Sequence, residues 1–237
     1  MTSSGGSTPD AAAMLERMTA FAFPGGRIEA RGVLLRQRGQ MWRERGGAAM
    51  PFEATQYLDA TRPQFRWSAR FHLAKVVPLS VIDAYEGGRG RLDVRVAGLR
   101  VARAEGPETD EGELLRYLSE LPWCPFAMSH PAIEWASVEG EPGRLRATLR
   151  DGRIGASVVF TVGGDGAVSR VEAAMRPRQV GKRFEPTPWW GEFGGYSDLG
   201  GMRVPTRASV FWGLAGGPFE YFRCEVTSAE AAGGEGR

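Results

Sequence analysis

Apolar and polar residues alternate along most of this chain. The clearest run is Gln64–Leu73. There Phe65, Trp67, Ala69, Phe71 and Leu73 share one side, while Gln64, Arg66, Ser68, Arg70 and His72 share the other. A period of two marks a strand with one face buried and one wet, the behaviour of antiparallel sheets. The same test predicts strands over Phe52–Asp59, Leu79–Tyr85, Arg91–Val96 and Leu99–Ala104. Ile28–Gln37 and Gln40–Glu44 read as a hairpin or as one long strand bent at Gly39. A meander follows over Ile133–Glu139, Arg144–Arg150, Ile154–Val162 and Ala167–Pro177, its joints rich in Gly, Asp and Pro. Val204–Leu214 and Phe219–Thr227 close the series.

Two stretches change the period to that of a helix. Thr8-Pro9-Asp10 is a helix start, with Thr8 as cap and Pro9 in the first position. Met14, Leu15, Met18, Phe21 and Ala22 then line one face, and Pro24-Gly25-Gly26 ends the helix. The second helix spans Thr109–Leu121. Asp110 and Glu113 suggest a capping box, and Leu114, Leu115, Leu118 and Leu121 form its stripe. Pro122 and Pro125 stop it, and Trp123, Cys124 and Phe126 follow as an aromatic knot. No βαβ rhythm, tandem repeat or linker interrupts the pattern. The expected fold is therefore one α+β domain over residues 8–230, between disordered tails at 1–7 and 231–237. Its core is a large curved antiparallel β-sheet, or an incomplete β-barrel, of about ten strands with two helices on the concave face.

One stretch fits neither period. Pro186–Pro205 sets Trp189, Trp190, Phe193 and Tyr196 among several glycines and prolines. It is too aromatic for a solvated loop and too rich in Gly and Pro for a helix. We read it as a segment folded inward over one side of the sheet.

Composition narrows the chemistry. Thirty basic and 28 acidic residues leave a net charge of +2, no general attraction to nucleic acid or anionic membrane. For RNA, exposed rings would have to stand among the arginines of one face, whereas the strand rings are expected opposite them. The chain opens on polar residues without a basic and apolar leader, so a cytoplasmic location is expected. No run approaches the roughly 20 apolar residues of a transmembrane helix. Cys124 and Cys224 have no metal-type spacing and read as free thiols. Of the two histidines, His72 points outward and His130 sits in a loop, and no nucleophile elbow occurs. Neither a metal, a cofactor nor a catalytic residue is assigned. Carboxylates such as Asp83, Glu86, Glu113 and Glu120 are more readily caps or partners of arginine than acid–base groups.

Several ordered motifs point to a family. Gln37-x-Gly39-x-Met41, Phe52-x-Ala54-x-Gln56, Pro63-x-Phe65-x-Trp67-x-Ala69 and Asp83-x-Tyr85-x-Gly87 cover the first half. Arg116-Tyr117-Leu118-x-Glu120-x-x-Trp123-x-Pro125 covers the middle helix. Pro188-Trp189-x-Gly191-x-Phe193-x-x-Tyr196, Val204-Pro205 and Val210-x-Trp212 cover the end. Together they resemble an uncharacterised bacterial family of unknown function, which carries over no catalytic residue. The order of elements is also similar to the periplasmic lipoprotein-carrier folds, half-barrels that hold acyl chains beneath helices. That similarity implies an apolar ligand. Two expectations weaken the likeness: no export signal is read in the opening residues, and no obvious gating arginine is read on the helices.

Seven Trp and twelve Phe fall mostly on the inward faces or in the aromatic loops. They either fill a core or line a pocket that two helices are too small to fill. The leading reading is a non-enzymatic binding protein for a lipid or other apolar small molecule, lined by Trp67, Tyr85, Trp123, Trp189 and Tyr196. The alternatives are an enzyme using Asp83 and Glu120 in the same cavity, and an interaction scaffold with a filled core whose unknown protein partner docks on the arginine-rich face.

Overall fold

The computed structural model describes residues 9–73, 77–181 and 183–233. Thr8, the expected cap, lies outside them, as do the side chains of His72 and Leu73. Helix α1 spans Pro9–Ala22 and α2 Pro107–Ser119. The first six strands are β1 (Gly32–Met41), β2 (Met50–Asp59), β3 (Gln64–Leu73), β4 (Val77–Glu86), β5 (Arg89–Val96) and β6 (Leu99–Ala104). After α2 and two short 3-10 turns come β7 (Ile133–Ser137), β8 (Arg144–Asp151), β9 (Ile154–Val162), β10 (Val168–Val180), β11 (Arg183–Leu199), β12 (Met202–Leu214) and β13 (Gly217–Ala232). Among the described residues no helix is long and apolar enough to cross a membrane.

All thirteen strands join one antiparallel sheet in the order β6-β5-β4-β3-β2-β1-β13-β12-β11-β10-β9-β8-β7. The count exceeds the expected ten. The aromatic stretch at Pro186–Leu199 is not a loop but most of β11, paired with β10 on one side and β12 on the other. Its alternation is real: Thr187 and Trp189 are buried while Pro186 and Pro188 face solvent. The prolines hid it. A proline cannot donate to a ladder, so inside a sheet it calls for an edge or a bulge. Here β10 supplies the bulge between Ala173 and Arg176, opposite Pro188. The last strand likewise runs on through Ala231 and Ala232, expected in a disordered tail but instead paired with Val33 and Gly32.

The sheet curls. Helix α2 packs against β4 and β5 near one edge and against β8, β9 and β10 near the other. A single helix can touch both arms only if they bend around it, so α2 lies in the concave face of a half-barrel. Leu114, Leu115, Tyr117 and Leu118 bury its apolar side. The expected capping box is absent. Gly106 is the cap, with φ of 115°, and no side chain caps the helix. Starting two residues early, at Pro107, puts Asp110 in the first turn, where its Oδ1 accepts from the Gly90 amide at 2.7 Å. Glu113 is thereby carried into the interior. Helix α1 buries Ala11, Met14, Met18 and Ala22 and packs against β7 and β12.

The sheet faces follow the alternation. Phe65, Trp67, Ala69 and Phe71 are buried, as are Leu145, Ala147 and Leu149 of β8. Gly39 does not bend β1, which is one strand. A Cβ there would fall 2.1 Å from the Arg223 carbonyl oxygen and 2.7 Å from the Phe52 ring, so glycine lets that ring lie across the strand. The outer face is not free of rings, contrary to expectation. Trp190 stacks on Phe211 with centroids 5.3 Å apart, and the Arg170 guanidinium lies 4.6 Å over Trp190. Trp190, on β11, belongs to the stretch that concealed its alternation.

Candidate functional site

Between α2 and the concave face lies a cavity of about 620 Å³. Its apolar wall comes from β3 to β5, with Phe71, Val81, Leu92 and Val94, and from β11 to β13, with Phe193, Val210 and Phe222. It reaches the surface beside Arg43 and Val101, both exposed. The volume lies within the roughly 300–1,000 Å³ of ordinary ligand sites.

Three of the five expected lining residues border this space: Trp67, Trp123 and Trp189. Each spends its indole N–H on the protein. Trp67 donates to Gln37 Oε1 at 2.9 Å, Trp123 to the Pro205 carbonyl at 2.8 Å, and Trp189 to Tyr221 Oη at 3.0 Å. The rings thus offer the cavity their carbon faces. Tyr85 and Tyr196 are placed elsewhere. Tyr85 is fully buried and donates to Asp151 Oδ2 at 2.9 Å. Tyr196 donates to the Val168 carbonyl at 2.7 Å and meets Phe21 of α1 edge-on. Both are inward-facing hydroxyl-bearing rings, and inwardness alone does not distinguish a cavity wall from a packed layer.

The cavity floor is polar. Arg116, on α2, pairs with Asp83 through Nη1 and with Glu120 through Nε at 2.8 Å. Glu120 also accepts from Gln56, which accepts from Gln37 Nε2 at 3.2 Å. The chain Trp67–Gln37–Gln56–Glu120–Arg116–Asp83 is continuous. The guanidinium lies 4.8 Å over the Phe65 ring and 5.4 Å over Trp67. Burial alone would pull the Arg116 pKa down; Glu120 and Asp83 together more than offset this and hold it charged. A helix arginine does therefore face the interior, contrary to the reading of the sequence. It sits one turn before Glu120 on the polar flank of a helix whose leucine stripe had claimed the buried side.

Glu113 faces the same floor. Burial raises its carboxyl well above the usual range and the Asp83 charge adds to this, against the weaker pull of Arg176 and Arg116. Asp83 Oδ1 and Glu113 Oε2 are both buried without an acceptor's partner. One proton retained on Glu113 and shared with Asp83 satisfies both.

Arg176 completes the set. Its guanidinium lies 4.8 Å over the Trp189 ring and 5.9 Å from Trp212, and its Nη2 is 3.9 Å from Glu113 Oε1. The bulge in β10 explains its position. Val171 and Ala173 point inward; Ala174 and Met175 both point out; Arg176 then points in. Strict alternation would bury Met175 and expose Arg176. Instead Met175 is 61% exposed and Arg176 8%. The signal available in the sequence was Pro188, which demands an irregularity in a neighbouring strand.

Cys124 and His130 do not form a nucleophile–base pair. Cys124 Sγ points at the Leu58 carbonyl at 3.8 Å, and its pKa is pushed up to about 12 by burial. His130 accepts from the Ala132 amide at Nδ1 and meets the Thr61 carbonyl at Nε2, so it is engaged at both nitrogens. Among the described residues no three His, Cys, Asp or Glu side chains are grouped to hold a metal ion.

A curled antiparallel half-barrel with an apolar hollow beneath one helix defines the class. The chain belongs to a family of unknown function, DUF6544, whose model matches residues 13–224. No curated protein matches it in sequence. Among solved structures it is similar to a LolA superfamily protein from Nitrosomonas europaea, with a TM-score of 0.51, 11% identity and 94% of each chain covered. It is also similar to a DUF1329 family protein from Desulfovibrio piger, with a TM-score of 0.52, 11% identity and 97% and 96% of the two chains covered. Likeness at this identity establishes the half-barrel fold and no more.

Proposed function

We propose that this protein is a non-enzymatic binding protein that holds a lipid or other apolar small molecule between sheet and α2. The observation that carries the proposal is the 620 Å³ cavity, walled by aliphatic side chains and by tryptophans whose N–H groups are already bonded. Such walls gain little from a polar guest and much from an apolar one, at roughly 25 cal/mol per Å² buried. The half-barrel's resemblance to lipoprotein carriers supports the same class of cargo. The carboxylate-enzyme alternative has less support. Asp83 and Glu120 are both partners of Arg116, the ordinary role of a carboxylate beside a buried arginine. A scaffold with a filled core is disfavoured by the hollow itself.

Native mass spectrometry of freshly purified protein tests the reading, together with uptake of a fluorescent fatty acid. Bound apolar mass, or saturable uptake, is expected. A clean apo mass with no uptake would overturn it.

A further inference from the structure

We infer that the cargo is an amphiphile with a single anionic head, and that the head is received by Arg176. This deepens the binding-protein reading and rests on it.

Three observations lead there. Arg176 lines the apolar cavity with its side chain nine-tenths buried. Among the described residues its guanidinium makes no hydrogen bond; the carboxyl paired with it, Glu113, stands at 3.9 Å, beyond hydrogen-bond reach. No Arg176 nitrogen is among the sealed, unpartnered polar atoms, so its donors stay accessible from the space it lines and are available to a guest. The second arginine of the floor offers no such vacancy, being bound by Asp83 and Glu120. Glu113, held toward its neutral form by burial and by Asp83, leaves the charge of Arg176 largely uncancelled.

The surroundings favour a planar or compact anion over a neutral head. The guanidinium lies 4.8 Å from the Trp189 ring and 5.9 Å from Trp212, cation–π contacts that use no N–H donor and leave its fork for a guest. Carboxylate and phosphate are the anions that match this fork. The hydrocarbon would then run along Val81, Leu92 and Val94 toward the opening at Arg43 and Val101. The β10 bulge is the device that makes the site. It turns a cation inward at a place where the regular register would have buried a methionine.

The test uses the full chain stripped of lipid and three probes with the same tail: palmitate, hexadecyl phosphate and cetyl alcohol. Each is titrated against bound Nile red. At least one anion should bind about tenfold or more tighter than the alcohol, the effect of one charge-assisted hydrogen bond to a buried group. Preference for palmitate alone assigns a carboxylate head, and for the phosphate alone a phosphate head. Arg176→Gln should abolish the preference; Arg176→Lys should keep part of it. Should Arg176→Gln fail to fold, the wild-type and Arg176→Lys titrations decide. Equal binding of anions and alcohol by the wild type, or a preference that survives loss of the charge, overturns the anionic head while leaving an apolar cargo in place. Binding of none of the three by folded protein overturns both.

Discussion

Tyr85 of β4 and Asp151 at the end of β8 are joined across the half-barrel, the hydroxyl donating to Oδ2 at 2.9 Å. In the strand order, β4 stands third from one edge and β8 second from the other. The bond therefore ties the two arms of the sheet. Burial raises the Tyr85 pKa first, and Asp151 adds to it by hydrogen bond and charge, so the phenol stays a donor. Tyr85→Phe should cost about 1.5–3 kcal/mol, the range for a hydrogen bond to a charged group. It should leave fatty-acid uptake unchanged, because the ring does not border the cavity. Chemical denaturation and the uptake assay check the two halves. A loss of uptake at unchanged stability would make Tyr85 a ligand contact after all.

The contrast between Tyr85 and Trp67 shows what was legible in the sequence. Both alternate onto the inner face, and the alternation alone placed them there. Whether an inward ring meets another layer or a void depends on what the opposite arm brings, and that is set by the curl. The strands of the first half, the meander and the leucine stripe of α2 were readable because each repeats one period. Strand β11 was not, since Pro186, Pro188 and the neighbouring glycines imitate a loop. Arg176 was hidden for a related reason. A single bulge reverses every side chain beyond it, and nothing within β10 itself announces one. Glu113 was misread as a capping residue because the helix start moved by two positions.

Both thiols should be inert in the folded protein. Cys124 and Cys224 are buried and unpaired. Burial pushes the Cys124 thiol up to about 12, and Cys224 is raised by burial as well. At pH 8 a thiol of that acidity is roughly one part in ten thousand thiolate, and thiolate is the reactive form. Iodoacetamide should therefore label neither residue in native protein and both in denaturant, as read by intact mass. Labelling of Cys124 under native conditions would mean that the packing around the 3-10 turns opens readily.

Gly90 should tolerate no side chain. Its amide donates to Asp110 in the first turn of α2, and a Cβ would stand 2.5 Å from the Thr109 carbonyl oxygen. That contact is backbone on both sides, so either β5 or the start of α2 must shift. Gly90→Ala should cost about 1–3 kcal/mol, as overpacking does. By contrast, a Cβ at Gly112, on the same helix, meets nothing within 4 Å. Gly112→Ala should be stabilising by up to about 1 kcal/mol through helix propensity. Thermal melts of the two variants should move in opposite directions.

Glu113 makes stability depend on pH in a direction opposite to that of an ordinary ion-paired carboxylate. The groups facing it are Asp83, Arg176 and Arg116. Below about pH 4.5, the ordinary value of a glutamate, folded and unfolded chains both hold its proton and it contributes no pH dependence. Above that value the unfolded chain releases the proton while the folded chain retains it. The folded state then binds more protons than the unfolded state, so its stability falls as pH rises, by up to about 1.4 kcal/mol per unit, until the buried carboxyl itself ionises. Glu113→Gln keeps a donor for Asp83 Oδ1 and removes the titration. Its stability relative to wild type should therefore grow between pH 5 and pH 8, as read from denaturation midpoints at each pH. A difference that stays flat, or reverses, would mean that Glu113 is ionised at neutral pH and neutralises Arg176. That result would also remove the vacancy on which the anionic head depends.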